Sequence, residues 1–259
     1  MAEFPILFSA PMVRGLIREV ENPGTGKTQT RRTLKRQPTT HDAGDCTIGG
    51  QRGPVDYLMR EIYPKYMARF RKGDRLWVRE SGIEFKGIAG GSDMFRHDVP
   101  ATSTLGHYWI RNTLATGASY MVPGCTREAA LIDKRAKVRP SVHMPRWASR
   151  LTLTVTDVRV QRLQEISEED CIAEGATSRP NCSGAGYRDE GWSMDWSPVG
   201  TRSKWAGADG ILRERDVCLA SPRLAFANLI DRINGAGSWA ATPWIVALTF
   251  TVERRNIDA

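Results

Sequence analysis

Nowhere in the 259 residues does the chain run apolar for the roughly eighteen residues that a membrane helix needs. Its opening, Met1-Ala2-Glu3-Phe4-Pro5, lacks the basic and then apolar pattern of a secretory leader. A soluble, cytoplasmic protein with no membrane partner is the expectation. Histidine and cysteine are scarce. The four histidines are scattered, and the five cysteines (Cys46, Cys125, Cys171, Cys182 and Cys218) are odd in number, with no C-x-x-C pair. That spacing argues against a zinc site and against a disulfide framework, so free thiols are expected, with no metal and no cofactor. Asn181-Cys182-Ser183 fits a glycosylation sequon only formally, because nothing routes the chain to secretion. Internal repeats and Pro/Gly-rich linkers are missing too. A hydrophobic content of 41% is enough for a packed core, and the reading is one domain over residues 1–259 with insertions.

Positive charge is what the chain has in excess. Lys and Arg number 37 against 29 Asp and Glu, a formal net charge of +8. The cations cluster over residues 27–36 and 134–139, which suits RNA, DNA or a nucleotide as partner. The densest stretch is Lys27-Thr28-Gln29-Thr30-Arg31-Arg32. Threonine at alternate positions favours a strand, with Lys27, Gln29 and Arg31 on one face and Thr28, Thr30 and Arg32 on the other. Such a strand walls a pocket for a polar or anionic ligand; the plainer alternative is a solvated basic edge strand.

Just before it, Gly24-Thr25-Gly26-Lys27-Thr28 imitates a phosphate loop. The Walker pattern requires glycine where this chain has Glu21, and it requires a strand before the loop and a helix after it. Here Pro11 opens a helix carrying Met12, Val13, Leu16, Ile17 and Val20 at helical spacing, and a strand follows. The glycines are a turn.

Further along, Ile6-Leu7-Phe8 predicts a first strand and Arg75–Glu80 an alternating one after the Gly73-Asp74 turn. Pro140–Arg150 is irregular. It feeds a long strand over Leu151–Val160 whose alternation changes phase around Asp157, a sign of a bulge or corner. Ser167 caps a short helix with acids in its first turn, closing at Glu174-Gly175. Ser221-Pro222 starts another, with Leu224, Ala225, Leu229, Ile230 and Ile233 on one side. Trp244–Val252 alternates without a break. The expected fold is α+β: a small mixed β-barrel with flanking helices and three loop-rich insertions at about 33–71, 82–140 and 177–220.

Several of these blocks resemble one family. Pro5-Ile6-Leu7-Phe8-Ser9-Ala10-Pro11-Met12-Val13, Lys27-Thr28-x-Thr30-Arg31-Arg32, Gly73–Glu80, Ile166–Asp170, Glu174-Gly175 and Pro243-Trp244 look like the ASCH domain, in the long form common in phages and prophages. The resemblance spans both ends of the chain and leaves the insertions unmatched. It implies a PUA-like barrel with a pocket for nucleic acid or a nucleoside. Small bacterial members of the family are amidohydrolases of N4-acetylcytidine, with a catalytic Lys, Thr and Glu that fall on Lys27, Thr30 and Glu174. Arg32 falls on a basic position of the same strand, and Glu80 on a recurring acid that accepts from a base or pairs with Arg32. One departure is the loop before Lys27, longer here than the family's Gly-Arg-Lys turn.

Amide hydrolysis needs a nucleophile, a base and a donor for the leaving amine. Thr30 offers a hydroxyl. Lys27 serves as base if burial and the neighbouring Arg31 and Arg32 lower its pKa. Glu174, at the negative end of its helix, suits proton delivery to the departing cytosine nitrogen. An odd separation places Lys27 and Thr30 on opposite faces of an ideal strand, so the pair needs Lys27 at the loop–strand junction or a bulge between them. Plainer readings stand beside each: a strand threonine, a solvated helix-end glutamate, a structural salt bridge at Glu80. His143 and Trp147 form a base-stacking lid or simply a packed loop. Two functions are therefore carried forward, an N4-acylcytosine nucleoside amidohydrolase and a module that reads a modified base without turnover.

Overall fold

A computed structural model describes residues 1–39, 44–48, 50–66, 68–88, 92–97, 107–111, 119–123, 136–180, 190–194, 205–206, 212–213 and 219–259. The chain begins with β1 (Glu3–Leu7), α1 (Ala10–Glu21), β2 (Gln29–Thr33) and the hairpin β3 (Asp45–Ile48) and β4 (Gln51–Pro54). A helical stretch from Val55 to Tyr66, π-helical over Leu58–Ile62, leads to β5 (Arg75–Arg79). Next come β6 (Gly82–Ile88), β7 (Ser92–His97), β8 (His107–Arg111), β9 (Ser119–Pro123) and β10 (Ala136–Arg139). Then follow β11 (Thr152–Arg162), α2 (Glu168–Glu174) and β12 (Thr177–Pro180) with β13 (Glu190–Ser193). The short β14 (Trp205–Ala206) and β15 (Leu212–Arg213), α3 (Pro222–Asn234) and β16 (Trp244–Glu253) complete the order. The fold is α+β with several sheets and few helices. Among the described residues no sheet closes into a barrel.

Contacts divide the chain into two compact units, and both are discontinuous in sequence. The first comprises Met1–Gly26, Gly73–Val155 and Phe250–Ala259. In it β1 pairs in parallel with β5, Glu3 opposite Arg75, and β5 pairs antiparallel with the start of β11. Pro11 stands in the first turn of α1, which buries Val13, Leu16 and Ile17 as its spacing predicts. The stretch after β5, within the insertion expected at 82–140, forms an antiparallel sheet in the order β10-β6-β7-β8-β9. Two single 3-10 turns, Ser141–His143 and Arg146–Ala148, shape the irregular segment before β11. Asn256 ties that segment down by donating to the carbonyls of Trp147 (2.9 Å) and Ser149 (2.6 Å).

The second unit comprises Lys27–Lys72 and Thr156–Thr249. Here β2 pairs antiparallel with β16, Thr30 opposite Leu248 and Arg32 opposite Val246. Two apolar clusters pack it. One gathers Leu163, Ile166, Cys171, Phe226 and Ile245; the other gathers Leu34, Met59, Val160 and Trp244. The phase change in β11 is real: Leu153 and Val155 are buried, Asp157 is exposed, and burial resumes at Val160. In α3 the expected side holds at Ala225, Leu229 and Ile230 and fails at Leu224 and Ile233. Ala225 and Phe226 face the core, whereas Leu224 and Ile233 are 51% and 58% exposed. The large Phe226 ring packs edge-on to Trp239. Of the expected 177–220 insertion, two small hairpins are described; Cys125, Cys182, Cys218 and Trp196 lie outside the described residues, as do Lys134 and Arg135 of the second basic cluster. No helix among the described residues is long and apolar enough to cross a membrane.

Candidate active site

The site is assembled where β2 meets the C-terminal end of α2, inside the second unit. Ser167 starts α2 by accepting from the Asp170 amide at 3.1 Å. Gly175 ends it, and its φ of 115° is one a side chain would resist. A helix leaves its last four carbonyls unpaired. Here Ala176 N donates to Cys171 O (2.9 Å) and Gly175 N to Ile172 O (2.8 Å), while Thr28 N donates to Ala173 O (2.9 Å). The fourth, Glu174 O, accepts from Lys27 Nζ at 2.9 Å. The incoming strand thus completes the helix end, and in doing so delivers a lysine to it.

Lys27 precedes the first strand residue, Gln29, so it sits at the loop–strand junction that a Lys27–Thr30 pair requires. Lys27 is 1% exposed and Glu174 4%, and Nζ also bonds Glu174 Oε2 directly. Burial pushes the Lys27 amine below the usual lysine range. The Glu174 carboxylate opposes that shift, and the Arg32 and Arg31 charges reinforce it. Burial likewise lowers Arg32, against the pull of Glu174. Thr30 is also buried, at 1% exposure. Among the described residues its hydroxyl makes no hydrogen bond, and none links it to Lys27 or Glu174.

Residues that sequence reasoning passed over hold the carboxylate in place. Arg31 Nη1 donates to Glu174 Oε1 (3.2 Å) and to Gln29 Oε1 (3.1 Å), and its Nη2 to Asp170 Oδ2 (2.6 Å). Gln29 Nε2 donates to Asp170 Oδ1 at 2.8 Å, and Arg159 Nη2 reaches both Asp170 oxygens. Burial alone raises the Asp170 carboxyl, but Gln29, Arg31 and Arg159 together outweigh it and hold the carboxyl below its ordinary value. Two periodicities carried this information. Lys27, Gln29 and Arg31 alternate onto one strand face, and Asp170 and Glu174 are one helical turn apart.

Glu80 has another partner. Its carboxylate is gripped in the first unit by Arg150, at 3.0 Å from Nε and 2.6 Å from Nη2, and this pair takes the place of the one expected with Arg32. Residues Glu80 and Arg150 are 2% and 1% exposed. Trp147 packs against the Trp77, Phe95 and Met144 cluster, while His143 is exposed. The phosphate-loop imitation is closed off by its own chain. Glu19 accepts from Gly24 N (3.0 Å) and Gly26 N (2.8 Å), taking the amides a phosphate would need. Gly26 lies so close to Glu19 that an added Cβ would stand 2.3 Å from its amide nitrogen.

Comparison of the chain with family models, with curated proteins and with solved structures finds no match.

Proposed function

We propose that the chain is an amidohydrolase that removes the acyl group from N4-acylated cytosine nucleosides, N4-acetylcytidine among them. The observation that carries this reading is the buried Lys27 amine, held on Glu174 and lowered in pKa. A lysine in that state is available as a base where an exposed one is not. In the proposed reaction the Thr30 hydroxyl attacks the acyl carbonyl and its proton passes to Lys27 Nζ. That proton moves on through Glu174 to the cytosine N4 as the C–N bond breaks, leaving an ester on Thr30. Water then cleaves that ester, releasing the carboxylic acid and restoring the hydroxyl. Arg32, on the face of β2 opposite to Lys27, would bind the nucleoside. Glu80, bound to Arg150, is assigned no step.

The same reading takes the strands as an ASCH, PUA-like barrel in a cytoplasmic protein. The unpaired thiols of Cys46 and Cys171 suit that compartment. A substrate series tests the chemistry: N4-acetylcytidine, a longer N4-acyl cytidine and an N6-acyl adenosine, with products separated by chromatography. Release of cytidine from the first two and no reaction of the third is expected. Equal turnover of all three would point to an unselective esterase-like site and overturn the assignment.

A further inference from the structure

The second unit also contains an open cavity of about 600 Å³ that the chemistry above leaves unused, a size typical of ligand sites. One wall is β11 over residues 157–161; the rest comes from the helical stretch and from the turn before β5. Among the described residues five cations line it, Arg60, Lys65, Arg71, Lys72 and Arg159, against two carboxylates, Glu61 and Asp157, which pair with Lys65 (3.5 Å) and with Arg159 Nε (3.3 Å). Two of the guanidiniums are set in direction from behind. Arg60 donates to Glu165 at 2.5 Å and Arg159 to Asp170 at 3.2 Å, both carboxylates lying outside the lining. Each guanidinium still has about two-fifths of its side chain in solvent, 41% and 42%. A planar fork fixed on one edge presents its other N–H donors in set directions, which matches phosphate oxygens. The described lining residues include no aromatic side chain, and what they offer is donors for a backbone.

We propose that this cavity holds the phosphodiester backbone of a single-stranded nucleic acid, so that the acylated cytosine is presented as part of a strand. The second half of that statement rests on the amidohydrolase reading. Arg159 joins the two places. It lines the cavity and donates to Asp170, which is bonded to Arg31, which is bonded to Glu174. A phosphate seated on Arg159 is therefore one ion pair from the network that orients the site carboxylate.

The test is fluorescence anisotropy with a labelled oligocytidylate of about ten nucleotides, a length within the range of single-strand sites. The wild type is compared with Lys65→Glu/Lys72→Glu and with Lys35→Glu/Arg36→Glu, a double reversal of equal charge outside the cavity lining. All four lysines and arginines changed are exposed. With about three phosphates engaged, affinity should fall with salt at a log–log slope of about −2. The cavity reversal should weaken binding at least about tenfold and flatten that slope; the control reversal should change affinity by less than about threefold. Equal weakening by both reversals would reduce the effect to net charge and overturn the proposal, as would cytidine monophosphate binding as tightly as the strand. Turnover of the free nucleoside is a separate readout. Turnover without strand binding overturns the cavity proposal alone. Strand binding lost in the cavity variant, without turnover, upholds the cavity and overturns the hydrolase.

Discussion

A lysine ammonium that is 1% exposed has lost nearly all its water, and at Lys27 the Glu174 carbonyl and carboxylate are what replace it among the described residues. Removing one partner of such a pair leaves the other buried with less compensation, at a cost of up to about 3–5 kcal/mol, although Arg31 still donates to Glu174. Lys27→Met should therefore lower the unfolding free energy by about that much in urea titrations. Adding Glu174→Leu should recover most of it, since an apolar pair of similar volume is often as stable as the ion pair it replaces. Activity should stay absent in both. A double variant that regained activity along with stability would show the pair to be scaffolding. The lowered pKa has its own consequence. The base form of Lys27 is populated as pH rises through a value below the ordinary 10.5, so kcat/KM should climb on the alkaline side with a midpoint under that value. A flat profile up to that pH contradicts the assigned role.

At the scale of elements, α2 is a seven-residue helix that depends on its two ends. Ser167→Ala should cost about 1 kcal/mol, and Gly175→Ala a similar amount through its left-handed φ of 115°, both measurable as lowered Tm. Asp170 acts in the acid range. Its folded pKa lies below the unfolded one, so the stability it contributes is complete above the unfolded carboxyl pKa and is lost as pH falls through the lower folded value. Asp170→Asn should remove that dependence from acid titrations of stability. Cap, first-turn acids and closing glycine were all legible for α2, because each acts within a few residues. Residue alternation in β2 was legible for the same reason. The partners of Asp170 and the Arg150 grip on Glu80 were not, since both join residues far apart in sequence. In α3 periodicity found Ala225, Leu229 and Ile230 but missed Phe226, which packs against Trp239, and counted Leu224 and Ile233, which are exposed.

For the whole molecule, the mixture of strands and helices was readable from alternation, caps and turns. The pairing of strands was not. Nothing local announces that β1 lies parallel to β5, or that the segment after β5 forms a five-stranded sheet of its own. Pairings of that kind depend on contacts across long sequence separations. The candidate site divides in the same way: Lys27 and Glu174 are brought together, Thr30 is buried nearby in sequence without a bond to either, and Glu80 is engaged elsewhere. Global stability should also register the buried lysine. Between the lowered folded pKa of Lys27 and its unfolded value of 10.5, the unfolded chain carries a proton that the native one lacks. The stability difference between wild type and Lys27→Met should therefore shift in favour of the wild type as pH rises through that window.

The central claim is that Lys27 is a base for amide hydrolysis. Its most direct test is to mix the purified protein with N4-acetylcytidine and follow conversion to cytidine by ultraviolet absorbance, beside Lys27→Ala. Turnover by the wild type, and a loss of at least about a hundredfold in the variant, is the predicted result. A wild type that leaves the nucleoside intact, or a variant as active as the wild type, would contradict it.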